Sequence, residues 1–431
     1  MRPRRRILSP VFVWLFAAFC LVACAQGSSA QSVLGPRAPI AYPAPSGPAP
    51  EWGVNMRHME NETALDIARA SGFSFVRTDL IWAEAERDGA YDFSFYDSVL
   101  DRLEAHGLGA LLILDYGHDD HGGHHMDSPE LRAAFLAYVR AAVRRYKNRN
   151  VRWEIWNEPD VDEAVHFIRP DNFALLVRET AEQIRAIDRD AVIVSGGLSW
   201  IDRSYARGML EEWRRHGGPA IDAFGIHPYR REGPESALDD MEDFQGLLRR
   251  YDRVWPLWIT EWGYAAAEAP GARDDSGHSE AGRWRQSVLA PRWALTAWMT
   301  GAPVAVWYEM VDRWRQPYDS GDNYGLLTMD NAEKPALRTM RVFFEQTRDA
   351  RLLGYVGGLP DNVMGLRFRA PGRDLIALWV VENGGEAEIA IERRRLRSIT
   401  VAWGDSVAGD EAGPSLRLSD EDGPVYVVWE R

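Results

Sequence analysis

The chain predicts an α/β fold: a (β/α)8 barrel, or TIM barrel, with a small C-terminal β-sandwich. Three observations carry this. Eight short apolar segments alternate with eight helical patterns over about 300 residues, which is the arithmetic of such a barrel. Two of those segments end in a carboxylate followed by a residue that breaks the run. After about residue 350 the helical period stops, and strand patterns separated by turn-formers take over.

The strand candidates are 51–55, 73–79, 109–117, 151–157, 191–197, 221–227, 256–261 and 303–309. Each is short, apolar and rich in β-branched or aromatic residues. The helical patterns are 63–71, 96–106, 129–148, 170–187, 204–216, 238–253, 280–300 and 335–348. Ser128-Pro129-Glu130, Asp171 and Lys334-Pro335 supply start signals, because a hydroxyl or carboxylate satisfies free N–H groups and proline suits the first turn. The later strand patterns are 365–369, 374–382, 386–392, 398–404, 415–419 and 424–430, with Asn383-Gly384 as a turn. A further strand before residue 360 fits the same sheet. The implied layout is a catalytic barrel over 51–350 and a β-sandwich over 351–431. There is no internal repeat and no zinc-type spacing.

The chain has 431 residues, 46% of them hydrophobic, enough for one large domain and a small one. Its 18 Trp point weakly to carbohydrate, since flat sugar faces stack on indole, although large cores use Trp as well. Met1-Arg2-Pro3-Arg4-Arg5-Arg6 and the apolar run 11–23 read as an export signal over 1–24, too short to span a bilayer. Leu21-Val22-Ala23-Cys24 resembles the lipobox of bacterial lipoproteins, which implies lipidation of Cys24, membrane attachment and an outer-membrane location. Cleavage after Ser28-Ser29-Ala30 is the competing reading and leaves the protein periplasmic or secreted; Arg4-Arg5 is a loose twin-arginine match. Residues 25–50, with six prolines between 36 and 50, read as an extended tether. Both cysteines, Cys20 and Cys24, lie in the leader, so no disulfide framework and no catalytic thiol are expected. The formal charge of −14 becomes −18 when the four leader arginines go, which argues against nucleic acid or an anionic surface as partner.

The most informative stretch is Trp153-Glu154-Ile155-Trp156-Asn157-Glu158-Pro159-Asp160. Pro159 cannot donate to a sheet ladder, so the strand stops and leaves Glu158 at its mouth with Asn157 beside it. Pro256-Leu257-Trp258-Ile259-Thr260-Glu261-Trp262-Gly263 has the same shape and ends in Glu261. Two carboxylates on two strand ends of one barrel are the equipment for hydrolysing a glycosidic bond. The other expected strand ends offer Arg77 and Trp82, Tyr116-Gly117-His118, His227-Pro228-Tyr229 and Trp307.

On these residues the chain resembles clan A of the glycoside hydrolases, retaining enzymes with catalytic glutamates on strands four and seven. The Trp-Glu-Ile-Trp-Asn-Glu-Pro wording and the appended sandwich are most similar to family 39, then family 5. The resemblance spans the whole barrel. It implies Glu158 as acid/base and Glu261 as nucleophile of a double displacement. It further implies Asn157 on the sugar 2-OH, Tyr229 and Arg77 holding Glu261 ionised, and His227 beside the pair. His118 and Trp82 would contact sugar, and Trp307 would form the floor beneath it. The partner is then a carbohydrate, and the mechanism needs neither cofactor nor metal.

Plainer readings stand beside these. Arg77 could pair with Glu154 inside the barrel, His227 could be a core histidine, and Trp307 could be barrel packing. His118-Asp119-Asp120-His121-Gly122-Gly123-His124-His125 is either a metal site or a polar rim loop; it lacks a rigid helical spacing. Arg393-Arg394-Arg395 reads as a solvated face, and Trp200, Trp262 and Trp314 as sugar platforms or core. Two functional rivals share the fold: a non-hydrolytic polysaccharide-binding or export-assisting envelope protein, and a transglycosylase. Sugar, linkage, endo or exo cleavage and oligomeric state depend on loops and surfaces, not on any motif.

Overall fold

A computed structural model describes residues 33–42, 47–161, 167–266, 278–313, 323–381 and 383–431. The leader, Cys24 and Trp314 lie outside these residues. Eight parallel strands close into a barrel: Glu51–Asn55, Phe75–Ile81, Gly109–Asp115, Val151–Asn157, Ile193–Ser199, Phe224–His227, Leu257–Trp262 and Val304–Trp307. Neighbours pair in chain order, and the eighth strand closes on the first through Val304–Glu51 to Trp307–Val54. The strand and helix order is the one expected, with ends shifted by up to three residues. Helix starts follow the local chemistry: Ser128 caps Pro129–Tyr146 by accepting from the Leu131 N–H, and proline opens Pro170–Ile187 and Pro335–Gln346.

Strand parity builds the barrel in layers. Phe75, Leu111, Val194, Ala223, Trp258, Val304 and Val306 fill the lower interior as a separate apolar cluster. Two residues further on, Arg77 and Thr260 face the same interior one layer higher. The opposite parity, including Trp153, Ile155, Ala305 and Trp307, packs outward on the helices.

C-terminal to the barrel lies a seven-stranded antiparallel sheet that holds Arg351–Val356, Val363–Ala370, Arg373–Val380, Leu396–Thr400, Ser406–Ala408 and Val425–Glu430. Leu366, Phe368, Leu375 and Trp379 join the barrel core, with Phe368 4.9 Å from Trp298. The alternate residues Ile376, Leu378, Val425 and Val427 meet Ile389 and Leu418 of a second, two-stranded layer, Glu386–Ala390 with Ser415–Ser419. The sheet is thus apolar on both faces and buried on both, the sandwich being its outer half.

The tether expected over 25–50 is corrected at its described residues 33–42. Ile40–Tyr42 adds the seventh strand, antiparallel to Arg351–Val356. Leu34 is 4% exposed and lies in the sandwich core, and its carbonyl accepts from the Glu392 N–H. Prolines suit this place because an edge strand needs few donors. Leu34→Ala should cost about 2 kcal/mol or more in urea unfolding, as for a buried leucine. An unchanged midpoint would mean that the segment is a free tether.

Candidate active site

Arg77 is the hub of the barrel mouth. It is 1% exposed, and its guanidinium donates four hydrogen bonds. Nε reaches Glu154 at 2.6 Å, one terminal nitrogen reaches Asn55 at 3.0 Å and Glu261 at 2.8 Å, and the other reaches Asn157 at 2.8 Å. Burial works against this charge, but Glu154 and Glu261 outweigh it and keep the guanidinium fully ionised. The two readings of Arg77 are therefore both met, since one side chain spans the structural carboxylate and the strand-seven carboxylate. Glu154 is fully buried and also accepts from the Gly197 N–H at 3.2 Å. Removing Arg77 would strand it, at a cost of about 3–5 kcal/mol.

Simple strand alternation would put Asn157 on the face opposite Glu154, yet both touch Arg77. The reason is local: Trp156 takes φ 72° and Glu158 φ 45°, both left-handed. Each such non-glycine residue costs about 1 kcal/mol or more, and the surrounding contacts hold it. The turn of the chain at Trp156 brings Asn157 and Glu158 into the mouth together, while the Trp156 ring packs on Tyr116 and Phe135.

Glu261 is bracketed. Arg77 donates to one carboxylate oxygen and the Tyr229 hydroxyl donates to the other at 2.9 Å. Burial and then Glu261 hold the Tyr229 hydroxyl well above its usual range, so it stays a donor. Glu158 faces a different neighbour. Its Oε1 lies 2.8 Å from His227 Nδ1, and His227 Nε2 lies 3.1 Å from the Thr260 hydroxyl. Burial pulls His227 down to about 4, so the ring is neutral near pH 7. It fits only because Gly197 is glycine: a Cβ there would come within 2.1 Å of Nε2.

Oxygens of Glu158 and Glu261 and a nitrogen of His227 all lie within 4.8 Å of one another. Separations near 5 Å characterise retaining pairs, against roughly 6.5–9.5 Å for inverting ones. This trio could offer ligands to a cation, but each Glu261 oxygen already accepts a hydrogen bond, from Arg77 and from Tyr229, so a divalent ion would compete with those donors.

Three expected substrate contacts are corrected. Trp307 is fully buried and points outward by strand parity, edge-on to Trp293 at 5.3 Å. It is helix-layer packing, and the next residue, Tyr308, lines the mouth beside Glu261. Trp82 opens a short helix, is fully buried, and donates to Glu86 at 2.7 Å with His121 stacked on it. His118 turns away from the mouth: Nδ1 accepts from the Asp120 N–H, and Nε2 meets the Glu86 carbonyl at 3.2 Å. In the same run, His121 pairs with Glu86, His124 accepts from the Gly117 N–H, and His125 meets the Phe167 carbonyl. His118 and His121 thus both meet Glu86, while His124 and His125 bond elsewhere, and all four rings build the loop. Of the other tryptophans singled out, Trp262 is buried and Trp200 is 57% exposed at the end of strand five.

The mouth also holds Tyr116, which the sequence placed at a strand end without a role, and groups that it passed over. The Tyr116 hydroxyl accepts from Asn157 at 3.1 Å, and Asn55, Arg57 and Asp79 line the wall with Tyr308. Asp160, in the same motif as Glu158, accepts from the Ser199 N–H at 3.0 Å, and burial pushes its carboxyl up to about 7. Tyr116 and Tyr308 share one signal: each is the first residue after a strand's last residue, where a side chain can reach over the rim.

A closed parallel barrel with paired carboxylates over strands four and seven defines a retaining O-glycosyl hydrolase of clan A. The chain belongs to the cellulase family, glycosyl hydrolase family 5, whose family model matches residues 36–302. Among solved structures it is similar to a family 39 glycoside hydrolase from the gut symbiont Bacteroides cellulosilyticus WH2, with TM-score 0.71 and 19% identity over 89% of this chain and 81% of that one. It is also similar to a family 39 β-xylosidase from Caulobacter crescentus, with TM-score 0.63 and 16% identity over 92% and 99% of the two chains. A family 30 endoxylanase from Clostridium papyrosolvens C71 gives TM-score 0.61 and 11% identity over 93% and 99%. At these identities the structures speak for the fold. No curated protein matches the chain.

The two buried titrating groups beside Glu158 have opposite effects on stability. Asp160, raised from 3.8 to about 7, stabilises the fold fully at low pH, and that contribution is lost as pH rises from about 4 towards 7. His227, lowered from 6.5 to about 4, contributes above pH 6.5, and its contribution is lost as pH falls towards 4. Asp160→Asn keeps the acceptor for Ser199 but removes the first effect. Relative to the native protein, its unfolding free energy should climb between pH 4 and 7 by up to about 1.4 kcal/mol per pH unit. A difference that stays flat across that window would show that Asp160 titrates as an ordinary carboxylate.

Proposed function

We propose that the enzyme cleaves β-glycosidic bonds of an oligo- or polysaccharide by double displacement, with Glu261 as nucleophile and Glu158 as acid/base. The observation that carries the reading is the unlike surroundings of two carboxyls within 4.8 Å: Arg77 and Tyr229 donate to Glu261, while Glu158 meets a neutral His227. Donors that favour an anion suit a nucleophile, and a neutral ring that tolerates either protonation state suits an acid that must become a base.

In the first step a Glu261 oxygen attacks the anomeric carbon while the Glu158 carboxyl protonates the leaving oxygen. The C–O bond breaks and a glycosyl ester forms on Glu261. Glu261 loses its charge at this point, but Arg77 stays balanced by Glu154, so no buried cation is left alone. In the second step Glu158 takes a proton from water, the water oxygen attacks the same carbon from the leaving-group side, and the ester releases Glu261. His227 serves both states of Glu158. With Glu158 ionised, Nδ1–H donates to it and Thr260 donates to Nε2; with Glu158 protonated, the carboxyl donates to Nδ1 and Nε2–H donates to Thr260. Asn157 has its oxygen on Arg77 and one N–H on Tyr116, which leaves its second N–H for the sugar 2-OH.

Glu261→Gln should abolish turnover, and a 2-fluoro glycoside should label Glu261 in the native enzyme. Glu158→Ala should slow substrates with poor leaving groups most, with azide rescuing an activated aryl glycoside as the β-azide. Labelling of another carboxylate, or equal losses on good and poor leaving groups without rescue, would overturn these roles.

Residues 1–24 support export, and Leu21-Val22-Ala23-Cys24 supports an outer-membrane lipoprotein. Among the described residues no helix is long and apolar enough to cross a membrane, so attachment would rest on the acyl chains. Mass spectrometry of the mature protein should find an acylated N-terminal Cys24. An unmodified N-terminus at Gln31 would mean a free protein and leave the catalytic proposal untouched.

A further inference from the structure

A second cavity lies at the other end of the barrel. It has a volume of about 750 Å³ and lies between helices Arg203–His216 and Leu238–Arg250. Its walls come from the C-terminal parts of both helices and from the segments that lead into strands six and seven. These segments enter the N-terminal ends of the strands, so the groove opens away from Glu158 and Glu261. That volume falls within the about 300–1,000 Å³ typical of small-ligand sites.

The lining carries a charge that the chain as a whole does not. Arg207, Arg214, Arg250 and Arg253 face a single lining carboxylate, Asp252, in a protein of formal charge −14. Helix ends explain part of this, because cations favour the last turn, where Arg214 and Arg250 sit. Arg214 also pairs with Glu211, which takes a further hydrogen bond from Tyr251 at 2.5 Å. Helix ends do not explain Arg207, in the middle of its helix, or Arg253, in the loop. Neither has a carboxylate within ion-pair distance among the described residues.

Arg253 is also held in place without one. Its guanidinium lies 5.2 Å from the centre of the Trp255 ring. On another side it lies against Gly218, where a Cβ would come within 2.4 Å of a terminal nitrogen. A flat cation seated on an indole and a glycine shelf, beside the Tyr251 ring, is an arrangement that receives an anion.

We propose that this groove is a second carbohydrate site, one that binds an acidic polysaccharide carrying carboxylate or sulfate groups. Charge complementarity favours such a chain, and a protein of formal charge −14 is a poor partner for a duplex or an anionic membrane. A polymer held at the barrel's far end leaves the catalytic mouth open and keeps the enzyme on its substrate surface, as linked sites do.

The test uses the full chain carrying Glu261→Gln, with polygalacturonate, dextran sulfate and neutral xylan as probes in affinity electrophoresis. The acidic polymers should retard the protein through the groove, whereas any retardation by xylan, bound in the catalytic mouth, should not depend on the groove arginines. Adding Arg207→Gln and Arg253→Gln should weaken that binding about tenfold or more. In the otherwise native enzyme the same two changes should leave turnover of a small aryl glycoside within about twofold, which also reports correct folding. Without any groove substitution, raising salt from about 50 to about 500 mM should weaken binding of the acidic polymers about tenfold or more. No retardation by either acidic polymer, or retardation by them that is indifferent to the two arginines, would overturn the proposal. So would phosphatidylglycerol vesicles or duplex DNA binding through these arginines while the acidic polysaccharides do not.

Discussion

The working end of this enzyme depends on one buried cation. Arg77 joins Glu154, Asn55, Asn157 and Glu261, which come from strands one, four and seven of the barrel. A planar guanidinium with fixed donor directions can do this where a lysine could not, because each bond constrains the angle of its partner. The apolar layer of Phe75, Trp258 and Val306 beneath it excludes water and strengthens every bond above. The same burial would make the cluster costly if any member were missing, so its geometry has little freedom.

That rigidity sets the chemistry. Glu154 is the permanent counter-charge and Glu261 the one that changes during the reaction, which lets a single arginine serve structure and catalysis together. The strained backbone at Trp156 and Glu158 fits the same account. Left-handed residues in a strand end are tolerated only where contacts over-determine them, and here Arg77, Tyr116 and His227 do so. The appended sheet steadies the barrel from outside. Glu235 takes a hydrogen bond from Trp379 of the sheet at 2.7 Å and two from Arg292 of helix Glu280–Met299.

The order of elements and the two glutamates were legible in the sequence because both depend on local pattern. Alternation of apolar and polar residues marks a strand wherever it ends up, and a proline or glycine marks where it stops. Arg77, Tyr229 and His227 could be placed at strand ends by the same reasoning. The aromatic assignments failed for a definite reason. Trp307 was placed one residue from the rim but on the wrong side of the sheet, since the strand ends at Trp307 and its parity faces the helices. Trp82 and His118 lie past their strands, where turns and not pleats set direction.

By itself the sequence determined the barrel, its sandwich and the carboxylate on each of two strand ends, since periodicity and breakers act within a few residues. The tertiary structure decided which side chains share a surface. It joined Arg77 to Glu261 across 184 positions, and it brought residues 40–42 to the edge of a sheet made mostly of residues beyond 350. It also set Arg253 against Gly218, in one groove with Arg207. Such contacts depend on how distant segments close around one core, and no local pattern encodes that closure.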